Sequence, residues 1–179
     1  GACVDFCYSL NSTNHPNVYF RLLQNSILMR NKDPRIAHAI KGIPHGSTVR
    51  LFTDGDYPNL DSLKFFIEII RDNPQLTFYS YTKSFIYFYQ LRRSGVEFPP
   101  NYWFNASDGS KYSQGWIEKL KPIPTFRGEF IALSTPIPIP NRNIDPIAWK
   151  RGADQLRSVA RDRGLGSVFI CPGDCRYCL

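Results

Sequence analysis

Apolar residues recur at helical spacing over residues 19–30, where Phe20, Leu23 and Ile27 mark one stripe with Leu22 and Leu28 beside it, so this segment predicts an amphipathic helix. Residues 33–41 predict a second, short helix with Pro34 in its first turn and Gly42 just past its end. Residues 47–53 then read as a strand and 54–59 (Asp-Gly-Asp-Tyr-Pro-Asn) as a loop. Residues 61–72 read as a helix whose Leu63, Phe66, Ile67 and Ile70 form an apolar stripe, and Asn73-Pro74 stops it. Residues 76–81 make the next strand, and Thr82-Lys83-Ser84 leads into an aromatic-rich helix over 85–93 that Gly95 closes. A third strand, 102–107, follows Pro99-Pro100, and Asp108-Gly109-Ser110 turns the chain. Residues 129–133 predict a fourth strand, 134–143 a proline-rich irregular connection, 145–163 a helix ended by Gly164, and 167–170 a last short strand.

Strand and helix alternate along most of this course, which is the pattern of right-handed βα units on a mostly parallel sheet, so the fold class is α/β. The chain has 179 residues, enough for one core, and one domain over 1–179 is the expectation. With 42% hydrophobic residues the composition is that of a folded domain and not of a disordered one. Charges and prolines interrupt every apolar run before it reaches the roughly 18 to 20 residues a membrane span needs. Aromatic residues make up 15% of the chain, so large rings carry much of the core.

Charge changes the picture in one respect. A net charge of +7 favours anionic partners, nucleic acid among them. The densest basic groups, Arg92 with Arg93 and then Lys150, Arg151, Arg157, Arg161 and Arg163, read equally well as solvated helix faces. The chain opens on Gly-Ala-Cys with no apolar signal segment, which reads as a fragment or a processed piece.

The five cysteines fall in two groups, Cys3 and Cys7, then Cys171, Cys175 and Cys178. An odd number of cysteines spaced two to four residues apart is poor material for a disulfide scaffold. Thiolates three or four positions apart on a turn can converge on one metal centre, and Pro172 and Gly173 let the second group curl tightly. The alternatives are an iron–sulfur cluster, a structural zinc site, and free thiols, with Cys3 or Cys7 available to complete the carboxyl-terminal set if the chain ends meet. Unpaired thiolates fit a reducing cytoplasm.

Polar residues gather where the predicted strands end: Thr53, Asp54, Asp56 and Asn59 after the first, Tyr81, Thr82, Lys83 and Ser84 after the second, Ser107 and Asp108 after the third, Ser134 and Thr135 after the fourth. Ligands of α/β folds bind at those ends, so the candidate site lies there. The chain carries no Gly-x-Ser-x-Gly elbow, no P-loop and no dinucleotide fingerprint, which leaves serine hydrolysis, P-loop phosphoryl transfer and Rossmann-type hydride transfer without support.

Several segments together resemble the phage and plasmid family called gene product 88. They are Ala2-Cys3-Val4-Asp5-Phe6-Cys7-Tyr8, Val49-Arg50-Leu51-Phe52-Thr53-Asp54-Gly55-Asp56, Tyr79-Ser80-Tyr81-Thr82-Lys83-Ser84, Pro99-Pro100-Asn101 with Ser107, and the closing cysteine triplet. That family in turn is similar to the radical S-adenosylmethionine enzymes. The resemblance implies a partial barrel of the radical-enzyme kind, a [4Fe–4S] cluster and S-adenosylmethionine as cofactor, and the host cytoplasm as location for a phage-encoded protein. Position by position, Cys3 and Cys7 match the end of the amino-terminal cysteine motif with Tyr8 as its aromatic residue, and Asp54, Gly55 and Asp56 match the glycine-rich motif that holds the methionine amino group. Lys83 is the available counter-charge.

The departures are that the first cysteine of the amino-terminal motif and the strand before it are missing, and that the intact Cys-x3-Cys-x2-Cys stands at the other end, at Cys171, Cys175 and Cys178. No later glycine-rich adenine motif follows. The expectation is therefore an iron–sulfur protein, with a radical-enzyme-like activity in view. Its alternative is a zinc-stabilised nucleic-acid-binding or structural module without catalysis, in which Arg and Lys meet phosphates and exposed rings stack on bases.

Overall fold

The structure, a computed structural model, describes residues 15–112, 115–131 and 144–165. The chain divides into two compact units, residues 1–131 and 132–179. In the first, helices α1 (Pro16–Arg30) and α2 (Pro34–Lys41) precede β1 (Thr48–Leu51), α3 (Leu60–Arg71), β2 (Thr77–Thr82), α4 (Phe85–Arg93), β3 (Tyr102–Ser107), α5 (Gly115–Leu120) and β4 (Phe126–Phe130). In the second, α6 spans Pro146–Asp162, with the Asp145 side chain accepting from the N–H groups of Ile147 and Ala148 at 3.1 and 2.9 Å.

The four strands pair in parallel in the order β1-β2-β3-β4. Registers run Arg50 to Tyr79 and Leu51 to Ser80 across the first pair, and Ser80 to Phe104 and Tyr81 to Asn105 across the second. Because the order never reverses and such crossovers share one hand, successive helices stack on the same face. The burial of β3 agrees: Tyr102, Phe104 and Ala106 are buried, while Trp103, Asn105 and Ser107 between them are half-exposed. Phe88 of α4 lies 4.3 Å, centroid to centroid, from Phe104 and stacks on Tyr102 at 6.4 Å.

Local chemistry explains where helices start. Asp33 caps α2 through Arg35 N–H, with Pro34 in the first turn. Asn59 caps α3 by accepting from Ser62 N–H at 2.8 Å, and Leu63, Phe66, Ile67 and Ile70 of that helix are all buried. Asn101 ties the far end of the sheet, its amide donating to the carbonyls of Ile70, Asn73 and Leu76.

Three elements depart from the sequence reading. The stripe expected to turn α1 inward is on its outside, with Phe20, Leu23 and Ile27 exposed by 64%, 44% and 51%. The half-buried residues of α1 are Leu22, Leu28 and Met29. The fourth strand sits three residues earlier than 129–133, ending at Phe130, and its pairing with β3 is irregular between Phe104 and Asn105. Helix α5 is additional; six residues are too few for a periodic signal, yet Ile117 and Leu120 are buried. The strand expected at 167–170, the connection 134–143 and all five cysteines lie outside the described residues.

Candidate functional site

The carboxyl end of β1 is shaped by two backbone conformations. Phe52 takes a left-handed φ of 54°, which an L residue adopts at a cost, and Gly55 a φ of 89°. The first ends the strand after Leu51 and turns the Phe52 ring onto Tyr57 and Phe66, at 4.4 and 5.0 Å. The second lets residues 53–56 reverse, so that Asp54 and Asp56 do separate work.

Asp56 faces inward. Its Oδ1 accepts from Tyr57 N–H at 2.7 Å, the Thr82 hydroxyl lies 2.9 and 3.1 Å from its two oxygens, and Lys83 N–H donates to Oδ2. Burial pushes its carboxyl above the ordinary value, opposed by the donors on Lys83, Tyr57, Thr82 and Ser84. Below it the hydroxyls of Tyr57 and Tyr102 meet at 3.0 Å, and those of Ser80 and Tyr102 at 2.6 Å. Burial raises both tyrosines above their usual range, so both are neutral hydrogen-bonding groups.

The loops after β1, β2 and β3 are joined in series. Ser84 Oγ donates to the Tyr57 carbonyl at 3.0 Å, and Ser110 Oγ donates to the Lys83 carbonyl at 3.1 Å. Lys83 is therefore held at its main chain on both sides, by Asp56 and by Ser110. Among the described residues no carboxylate pairs with its ammonium group.

Asp54 faces elsewhere. With Thr53 and Phe52 it lines a cleft of about 820 Å³ between β1, α1 and α2. Arg21, Arg35 and Arg50 reach the same cleft, and Leu22, Met29 and Ile40 supply apolar wall. Arg35 is committed to Asp33 at 2.8 Å, and the Arg50 guanidinium also lies over the Tyr81 ring, 5.1 Å from its centroid. The lining of the cleft thus carries a carboxylate and guanidinium groups together, the group types that complement a ligand bearing both an ammonium and an acid group.

Of the residues singled out from sequence, Asp54, Gly55, Asp56 and Lys83 come together in one loop cluster, and the structure divides them between the cleft and the inter-loop clasp. The arginines of the cleft were not singled out. A charged Arg50 between Val49 and Leu51 in a strand was the available signal for one of them.

The sequence profile of gene product 88 matches residues 1–131. The chain belongs to the gene product 88 family. The match ends where the first compact unit ends, at Ile131, so the parallel sheet and its helices are the gene product 88 part of the chain. Cys3 and Cys7 lie within the matched span, and Cys171, Cys175 and Cys178 lie beyond it. No curated protein and no solved structure matches the chain. Among the described residues no three His, Cys, Asp or Glu side chains are grouped to hold a metal, and no helix is long and apolar enough to cross a membrane.

Proposed function

We propose that this gene product 88 protein binds an iron–sulfur cluster, a [4Fe–4S] cubane, through its cysteines, and that the cleft at the end of β1 receives S-adenosylmethionine in a radical-enzyme-like reaction on a partial barrel. The observation that carries the reading is the placement of Asp54 and Arg50 on one cleft at the carboxyl end of an all-parallel sheet. The donor chemistry suits both groups. Thiolates at Cys-x3-Cys-x2-Cys spacing, Cys171, Cys175 and Cys178, suit three irons of a cubane, and Cys3 and Cys7 are the further candidate ligands.

A bound cluster supplies the electron for reductive cleavage of the cofactor's sulfonium. The chain's own residues do the rest. Asp54 accepts the cofactor's ammonium group, and Arg50 faces its carboxylate. Asp56, saturated by Thr82, Lys83 and Tyr57, positions the loop. Lys83 supplies a positive charge on the second loop, and the apolar wall limits water.

The test is anaerobic purification with iron, sulfide and zinc analysis and an absorbance spectrum, on the wild type, on Cys171→Ala/Cys175→Ala and on Cys3→Ala/Cys7→Ala. About four irons and four sulfides with absorbance near 400 nm, lost in a cysteine variant, are expected. Stoichiometric zinc in a colourless protein overturns the cluster and leaves the zinc-stabilised, non-catalytic alternative. Equilibrium dialysis of S-adenosylmethionine tests the cleft, where Asp54→Asn should weaken binding about tenfold or more.

A further inference from the structure

Cation–π pairs occur about once in 70 to 80 residues of ordinary structures. On the outer side of α4 and α5 four of them converge on three rings. Lys119 lies 4.2 Å from the Trp116 centroid and 5.6 Å from that of Tyr89, Arg93 lies 6.0 Å from Tyr89, and Lys111 lies 5.4 Å from Tyr112. The rings also touch one another, Tyr89 edge-on to Trp116 at 5.8 Å and Tyr112 tilted against Trp116 at 5.2 Å. All three rings are half-exposed, and the three cations are exposed. Among the described residues none of these cations has a carboxylate within ion-pair distance, whereas the nearby Lys121 is taken by Glu118 at 2.7 Å.

A surface whose rings and uncompensated cations alternate meets the two needs of a single nucleic-acid strand, flat faces for bases and positive charge for the backbone. We infer that the α4–α5 face, through Tyr89, Tyr112, Trp116, Arg93, Lys111 and Lys119, binds single-stranded nucleic acid. A duplex hides its base faces and offers only phosphate, and an acidic peptide offers charge without flat rings. The rings on this face therefore favour the single strand over both. The inference is independent of any metal and of the cleft at β1.

The full-length protein, purified anaerobically, is titrated into fluorescein-labelled oligothymidine and oligouridine while anisotropy is followed at several salt concentrations. Binding of at least one strand is expected, and the two arms show whether DNA or RNA is taken. Arg93→Glu/Lys111→Glu/Lys119→Glu should weaken it about tenfold or more and lower the salt slope by about 2. The control carries the same charge change on exposed residues of α6, Lys150→Glu/Arg151→Glu/Arg161→Glu, and should change binding less than threefold, about half the tenfold unit of free energy.

Stacking is read separately: oligothymidine should quench tryptophan emission in Trp103→Phe/Trp149→Phe, where Trp116 is the one tryptophan left. Circular dichroism confirms that each variant is folded before its affinity is compared. The proposal is overturned if the wild type binds neither strand, if the two triple variants lose affinity equally, or if polyglutamate or a duplex of the same length competes as well as the single strand.

Discussion

Thr82 and Asp56, 26 positions apart, are joined by a shared hydrogen bond in which one hydroxyl faces both carboxylate oxygens, at 2.9 and 3.1 Å. The same Thr82 oxygen accepts from Ser84 N–H at 3.0 Å. One buried side chain therefore links the loop after β1 to the start of α4.

Thr82→Val keeps the shape and removes both roles, leaving the carboxylate short of a donor and the Ser84 N–H without its acceptor. A loss of about 1 to 3 kcal/mol is expected in urea unfolding. A cycle with Asp56→Ala should show a coupling of about 0.5 to 3 kcal/mol between the two sites, and additive effects would show that the clasp is not a unit.

The two perturbed carboxylates should titrate in opposite directions. Asp33, beside Arg35, is held down to about 2, so its contribution is present above the ordinary carboxylate range and is lost as pH falls through about 2. Asp56 is raised by burial, so its contribution is present below the ordinary range and is lost as pH rises through its elevated folded value. Carbon NMR titration of the carboxyl carbons should give one midpoint on each side of the usual value, and Arg35→Ala, which removes the guanidinium and keeps the capping N–H, should move only Asp33 part of the way back.

Tyr102→Phe should cost about 1 to 3 kcal/mol although it removes a single atom. Its hydroxyl is the partner of both Tyr57 and Ser80 in a site without water access, at 3.0 and 2.6 Å. Thermal unfolding of Tyr102→Phe beside Tyr57→Phe, which removes a hydroxyl with one such partner, should rank the first as the more damaging.

Gly55→Ala separates conformation from space. A methyl group there meets nothing within 4 Å, yet the backbone φ is 89°, so a loss of about 1 to 2 kcal/mol is expected. Gly42→Ala, at an ordinary φ of −77° with its nearest contact at 3.5 Å, should be close to neutral in the same denaturant experiment.

What could be read from the chain alone follows from how each signal arises. The stripe of α3 was legible because Leu63, Phe66, Ile67 and Ile70 recur at one period over three turns and all meet the sheet side. Strand β3 was legible because it lies between Pro100 and the Asp108-Gly109 turn, and its bounds match. Periodicity says that a helix has an apolar stripe, but neighbours decide where that stripe points. In α1 they leave Phe20, Leu23 and Ile27 outside. At the candidate site, the cluster of polar residues at strand ends was visible, whereas the division between Asp54 at the cleft and Asp56 in the clasp depends on a glycine turn and on donors 26 and 27 positions away. The cation–ring face was illegible because Tyr89, Tyr112 and Trp116 come from separate elements.

Strand order in this sheet copies chain order, and that bears on synthesis. A chain emerging from the ribosome can seat β2 on β1, then β3 on β2, then β4 on β3, each time against a partner already made. Among the described strands none must wait for a distant one to arrive, so the aromatic core around Phe88 and Phe104 can close while the rest of the chain is still being translated.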